Sequence, residues 1–204
     1  MLEFDGDKTA LMIVDMQNDF VREGAPMEVP DARKTIGAIQ SLIKMARSRK
    51  MPIIYAKFVA GPKRTFLWEW SQKIPDENCC VRGVKRKYKD VAGELEGIDI
   101  VEELYPEPQD YVFEKYNYSC FRNAPLKDIL CGNHCDAIIV VGTVTHLCVG
   151  DTIHDAAQEH FKVLVASDGV SSYSDLQQRA ALERFHTKYG VVETSAEIIK
   201  RFQV

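Results

Sequence analysis

The chain has 204 residues, 46% apolar and 27% charged, with a net charge of −4. That size and balance suit a single soluble domain that buries a core without disulfides, and the negative charge disfavours nucleic acid as a partner. No run approaches a membrane span, the acidic opening lacks the basic-then-apolar layout of a signal peptide, and six cysteines fit a reducing cytoplasm better than a disulfide framework.

Read in chain order, the first element is an apolar run over 9–15, Thr-Ala-Leu-Met-Ile-Val-Asp, of the kind that suits a strand buried on both faces of a parallel sheet. Asp15 stands at its carboxyl end, followed by Met-Gln-Asn-Asp-Phe20. Pro30 suits the entry to a helix over 31–49, where Ile36, Ile39, Leu42, Ile43 and Ala46 recur at helical spacing. A strand is expected over 53–58. The stretch 61–95 is irregular and holds Trp68, Trp70, the pair Cys79-Cys80 and a basic patch over 82–89, so it reads as a cover over a site or a subunit contact, or as a solvated loop. A helix is expected over 98–104, and a short strand over 110–114 delivers Lys115 to a sheet edge.

Further on, helix is expected over 124–131 and strand over 136–142. Gly142-Thr-Val-Thr-His-Leu-Cys148-Val149 then breaks the strand and leads into a helix over 146–160. With Thr145 as N-cap, Cys148 falls in the first turn, where free N–H groups and the helix dipole favour thiolate over thiol. The chain closes with strand 162–166, helix 174–188 capped by Ser174 and Gln177, strand 190–193 and helix 195–202. Strand–helix alternation predicts a doubly wound α/β sandwich of three layers, a mainly parallel sheet of six strands with helices on both faces. An aspartate or lysine at a strand end is usually a solvated charge, and a free cysteine is usually a packing residue. Three reactive side-chain types on three strand ends of one sheet point instead to a site.

Three stretches carry a resemblance: Val14-Asp-Met-Gln-Asn-Asp-Phe20, Lys115-Tyr-Asn-Tyr-Ser-Cys-Phe121 and Gly142-Thr-Val-Thr-His-Leu-Cys-Val149. With these the chain resembles the isochorismatase-like cysteine hydrolases, a group that includes N-carbamoylsarcosine amidohydrolases, ureidoacrylate amidohydrolases and nicotinamidases. The similarity runs through nearly all of 1–204 as one domain. It implies strand order 3-2-1-4-5-6 and a catalytic triad of Asp15, Lys115 and Cys148. It also implies a cis Thr143–Val144 peptide, and an oxyanion hole made by the backbone N–H groups of Val144 and Cys148. Phe20, Tyr118, Phe121 and Trp68 are candidate pocket walls. A homo-oligomer, dimer or tetramer, is expected.

The resemblance implies a cofactor-free amidohydrolase for a small amide, carbamoyl or ureido compound, working through a thioester and releasing ammonia. Isochorismatases that cleave a vinyl ether lack the cysteine at this position. Metal-dependent nicotinamidases carry histidines after the second strand, whereas the histidines here are His134, His146, His154, His160 and His186. No metal is therefore expected. Neither Cys79-Cys80 nor Cys131-Gly-Asn-His-Cys135 has the paired spacing of a structural zinc site. Two alternatives stay open: a nicotinamidase- or pyrazinamidase-like amidase, and a thiol-sensing or binding protein without turnover.

Overall fold

The computed structural model describes residues 3–60 and 78–203. Its elements are β1 (Thr9–Val14), α1 (Asn18–Val21), α2 (Ala32–Ser48), β2 (Ile53–Phe58), β3 (Lys85–Arg86), β4 (Leu95–Glu96), β5 (Tyr111–Lys115), α3 (Leu126–Gly132), β6 (Ala137–Thr143), α4 (Cys148–Gln158), β7 (Lys162–Ser171), α5 (Asp175–Lys188), β8 (Val191–Glu193) and α6 (Ser195–Arg201). Six strands form one sheet in the order β5-β2-β1-β6-β7-β8, with every neighbouring pair parallel. Counting only these strands, the order is 3-2-1-4-5-6, as expected.

Side-chain alternation explains the three layers. Leu11, Ile13, Tyr55, Ile139, Val141 and Leu164 face a core completed by Ile39 and Leu42 of α2 and Ile198 of α6. Their neighbours Ala10, Met12, Val14, Ile54, Ile138, Val140 and Val165 face the other way, onto Leu126 and Leu130 of α3, Val149 and Ile153 of α4, and Phe185 of α5. Both faces of the central strands are therefore covered, which is why they read as continuous apolar runs. Each fully buried leucine, isoleucine or valine contributes about 1.5–3 kcal/mol of transfer free energy.

Four local expectations change. The apolar residues of 98–104 form only a 3-10 turn at Glu102–Leu104. Upstream of it the backbone turns at 97–99 and is tied to the segment after β1: Asn18 N–H donates to Asp99 O, Val101 N–H to Met16 O, and Gln17 bridges Ile100. Those bonds outcompete the helical ones. Helix α4 begins at Cys148 rather than 146 because Thr145 is not its N-cap. Leu147 holds that position, while the Thr145 hydroxyl donates to Gln178 Oε1 at 2.7 Å.

Ser174 does cap α5, accepting from Gln177 N–H, but the Gln177 carboxamide bonds the Ser174 hydroxyl, so the reciprocal box is incomplete. The complete box opens α6, between Thr194 and Glu197. Finally, the described residues of the 61–95 stretch, from 78 on, include regular pairing. β3 and β4 pair antiparallel, Tyr88 is buried, and Arg82 of the basic patch pairs with Glu114 and Tyr116.

Gly142, near the end of β6, has φ +112° and lies opposite Val14. A Cβ there would fall 2.8 Å from the Val14 nitrogen and closer still to its carbonyl oxygen. Glycine is what lets β6 close against β1 at this point.

Candidate active site

Chain winding reverses between β1 and β6, so the carboxyl ends of these two strands open the crevice where such sheets bind ligands. Asp15 follows the last residue of β1, and Cys148 opens the helix after β6. Lys115 is the last residue of β5 and pairs in register with Phe58, the last residue of β2, so its long side chain crosses the end of β2 to reach Asp15. Asp15 has φ +51°, a left-handed conformation that aspartate tolerates better than most residues.

Lys115 Nζ donates to Asp15 Oδ2 at 2.7 Å and to Asn117 O at 3.1 Å, and lies 5.2 Å from the centre of the Phe58 ring. Both charged residues are essentially inaccessible, at 1% for Asp15 and 0% for Lys115. An unpaired buried charge costs several kcal/mol, so each group is tenable only with the other beside it. Asp15 Oδ1 has no hydrogen-bond partner among the described residues.

Burial is the largest influence on all three groups. It raises the Asp15 carboxyl above its usual range, against the opposing pull of Lys115 and of the Cys148 thiol. It holds the Cys148 thiol well above its ordinary value, and the Asp15 charge adds to this while Lys115 opposes it. For Lys115, burial acts to lower the pKa, but Asp15 and the nearby thiols outweigh it and the ammonium is retained. Cys148 therefore rests as a thiol. Burial and the adjacent carboxylate thus oppose the thiolate that a helix end favours.

The Thr143–Val144 peptide is cis. Among the described residues, neither Val144 N–H nor Cys148 N–H donates a hydrogen bond. Thr152 ties the surroundings together: its hydroxyl donates to Cys148 O and accepts from Cys120 N–H. The Cys120 thiol is buried and pushed up to about 12 by desolvation, so it is neutral beside the site.

A family model for the isochorismatase domain matches residues 9–197. The chain belongs to the isochorismatase family. It is a hydrolase of that family, and solved isochorismatase-like structures superpose on nearly all of it. A cysteine hydrolase from Pseudomonas syringae pv. phaseolicola is 26% identical, with TM-score 0.87 over 100% of this chain and 96% of that one. An N-carbamoylsarcosine amidase from Thermoplasma acidophilum is also 26% identical, with TM-score 0.76 over 92% and 96%. A pyrazinamidase/nicotinamidase from Streptococcus mutans shares the fold at 20% identity and TM-score 0.77, over 91% and 99%.

Within this isochorismatase-family site, the candidate pocket residues separate. Phe20 is buried and meets Phe58, the ring against Lys115, edge to face with centroids 6.4 Å apart. Tyr118 is half-buried and borders a polar cleft of about 350 Å³ lined also by Asn117, Arg122, Asp151 and Asp155. Phe121 packs on Phe161 at 5.8 Å, in the layer that holds α4. Trp68 lies outside the described residues.

Sequence reading missed three residues near the site. Gln17 is buried; its amide donates to Phe58 O and Ile98 O, and its carbonyl accepts from Phe58 N–H at 2.7 Å, pinning the end of β2 beside Asp15. It sits inside the Asp15–Phe20 stretch, so proximity was available as a signal. Tyr173 and His146 meet edge to face at 6.0 Å, His146 lying two residues before Cys148. His146 lies within the Gly142–Val149 stretch, so proximity was a signal there too, whereas Tyr173 does not stand out in the sequence.

Proposed function

We propose that the chain is a cysteine-dependent amidohydrolase that cleaves a C–N bond of a small amide, carbamoyl or ureido compound through a thioester and releases ammonia. The observation that carries this reading is the buried Asp15–Lys115 pair, with the Asp15 carboxylate beside the thiol of Cys148. In this reading Asp15 takes the thiol proton as sulfur attacks the carbonyl carbon. The tetrahedral oxyanion is held by the N–H groups of Val144 and Cys148, both free of intrachain acceptors among the described residues. Collapse expels the amine, which takes the proton from Asp15. Water then gives a proton to Asp15, attacks the thioester and restores the thiol. Lys115 keeps its charge throughout and limits how far burial raises the carboxyl.

Likeness to a cysteine hydrolase and to an N-carbamoylsarcosine amidase supports amide or carbamoyl chemistry. Phe20, Tyr118, Phe121 and Trp68 are proposed to wall the pocket, and the chain is proposed to act in the cytoplasm as a homo-oligomer. The test is Asp15→Asn, which keeps the shape of the side chain but cannot carry the proton. Acylation of Cys148 by an activated ester is expected to slow by at least about 10²-fold. Acylation at the wild-type rate would remove Asp15 as the base.

A further inference from the structure

A second cluster of chemistry-bearing side chains is assembled by the fold rather than by sequence spacing. Cys79 and Cys80 are wholly buried, with sulfur atoms 3.8 Å apart. Asp19, from α1, is wholly buried as well, and one of its carboxylate oxygens lies with both sulfurs in a group whose atoms are all within 4.8 Å of one another. Cys148 is not a member. We propose that Asp19, Cys79 and Cys80 form a binding site for a thiophilic divalent cation, with zinc as its occupant.

Three observations converge on a cation. Zinc–sulfur bonds of ~2.3 Å at tetrahedral angles place two sulfurs ~3.8 Å apart, which matches the separation found. The carboxylate is oriented as a ligand carboxylate is, by an outer ring of donors. Cys80 N–H donates to Oδ2 at 2.7 Å, the Tyr88 hydroxyl donates to Oδ1 at 2.7 Å, and Arg86 Nε pairs with Oδ1 at 3.0 Å. A carboxylate has about four lone-pair sites, and the two hydrogen bonds, one on each oxygen, leave Oδ2 a lone pair for a cation. Gly97 makes room for the group, since a Cβ there would fall 2.5 Å from Asp19 Cγ.

The charges then close. Two thiolates and one carboxylate are offset largely by a divalent cation, with the Arg86 guanidinium beside the carboxylate, which is what makes so acidic a ligand set tenable when buried. Loading displaces one proton from each thiol, which makes binding weaker as pH falls. Such an ion would join the segment after Asp15 to the one entering β3, and would stiffen the wall beside the catalytic carboxylate without taking part in its chemistry.

The test uses the full chain, stripped of metal and titrated with zinc. One equivalent is expected to bind to the wild type and to Cys148→Ala. A hundredfold excess over the dissociation constant is expected to raise Tm by about 5–10 °C. Cys79→Ser and Cys80→Ser are each expected to weaken binding at least about tenfold and to abolish the Tm shift. X-ray absorption at the zinc edge of loaded Cys148→Ala needs neither serine variant to fold; two sulfur scatterers at ~2.3 Å are expected. Absence of stoichiometric binding, loss of binding in Cys148→Ala, or a shell without two sulfurs would overturn the proposal.

Discussion

A thiol buried beside a carboxylate that is itself buried is held ready for proton transfer without being ionised in advance. Both groups have raised pKa values, with burial as the first cause in each. For Asp15 the sign has a stability consequence: the fold favours its protonated form. That contribution is complete below about pH 4 and is lost as pH rises through the folded value, so the charged carboxylate is kept at some cost to stability. For Cys148 the sign has a kinetic one. Alkylation of its sulfur by a small neutral reagent is expected to keep rising with pH beyond about 8.5, the ordinary thiol value. The check is a pH series with the modified peptide quantified by mass spectrometry. A plateau near neutrality would show a preformed thiolate and return the decisive role to the helix end and Lys115.

Elements decide where these residues stand. β6 can lie against β1 because Gly142 has no side chain to strike Val14. Gly142→Ala is expected to destabilise the fold by at least about 3 kcal/mol, through the clash and through a positive φ that alanine resists, measured by denaturant unfolding. The parallel sheet and its order were legible because the central strands are buried on both faces, and their apolar runs 9–14 and 137–141 announce it. The strand ends were equally legible, which is why Asp15, Lys115 and Cys148 could be named from the chain. Residues 98–104 were misread, because Ile98, Ile100, Val101 and Leu104 fit a helical face as well as an extended edge. What decides between the two is distant: the backbone around Gln17 takes the hydrogen bonds. Thr145 failed as a cap for a similar reason, its hydroxyl being claimed by Gln178 from α5. The grouping of Asp19 with Cys79 and Cys80 exists only in space, and no local spacing encodes it.

At the scale of the whole molecule, the sheet is covered on its faces, and among the described residues no further strand pairs with either edge. β5 forms one edge, and its residues Tyr111 and Val112 are exposed, with Tyr105 nearby in sequence also exposed. Uncovered edge strands with apolar side chains are surfaces that proteins tend to cover. Light scattering is expected to give a dimer or tetramer at micromolar concentration, and a monomer would refute the proposed assembly.

The account rests most heavily on Cys148 as a nucleophile that turns over. The most direct measurement is ammonia release from a panel of carbamoyl, ureido and simple amides, with wild type and Cys148→Ala compared at matched folding. The wild type is expected to release ammonia from at least one member. The variant is expected to lose at least about 10³-fold while melting as the wild type does, because alanine removes the nucleophile and little packing volume. Activity in the variant within tenfold of wild type would contradict the covalent mechanism. So would a wild type that alkylates readily at Cys148 yet releases ammonia from no member of the panel, which is the behaviour of a thiol sensor.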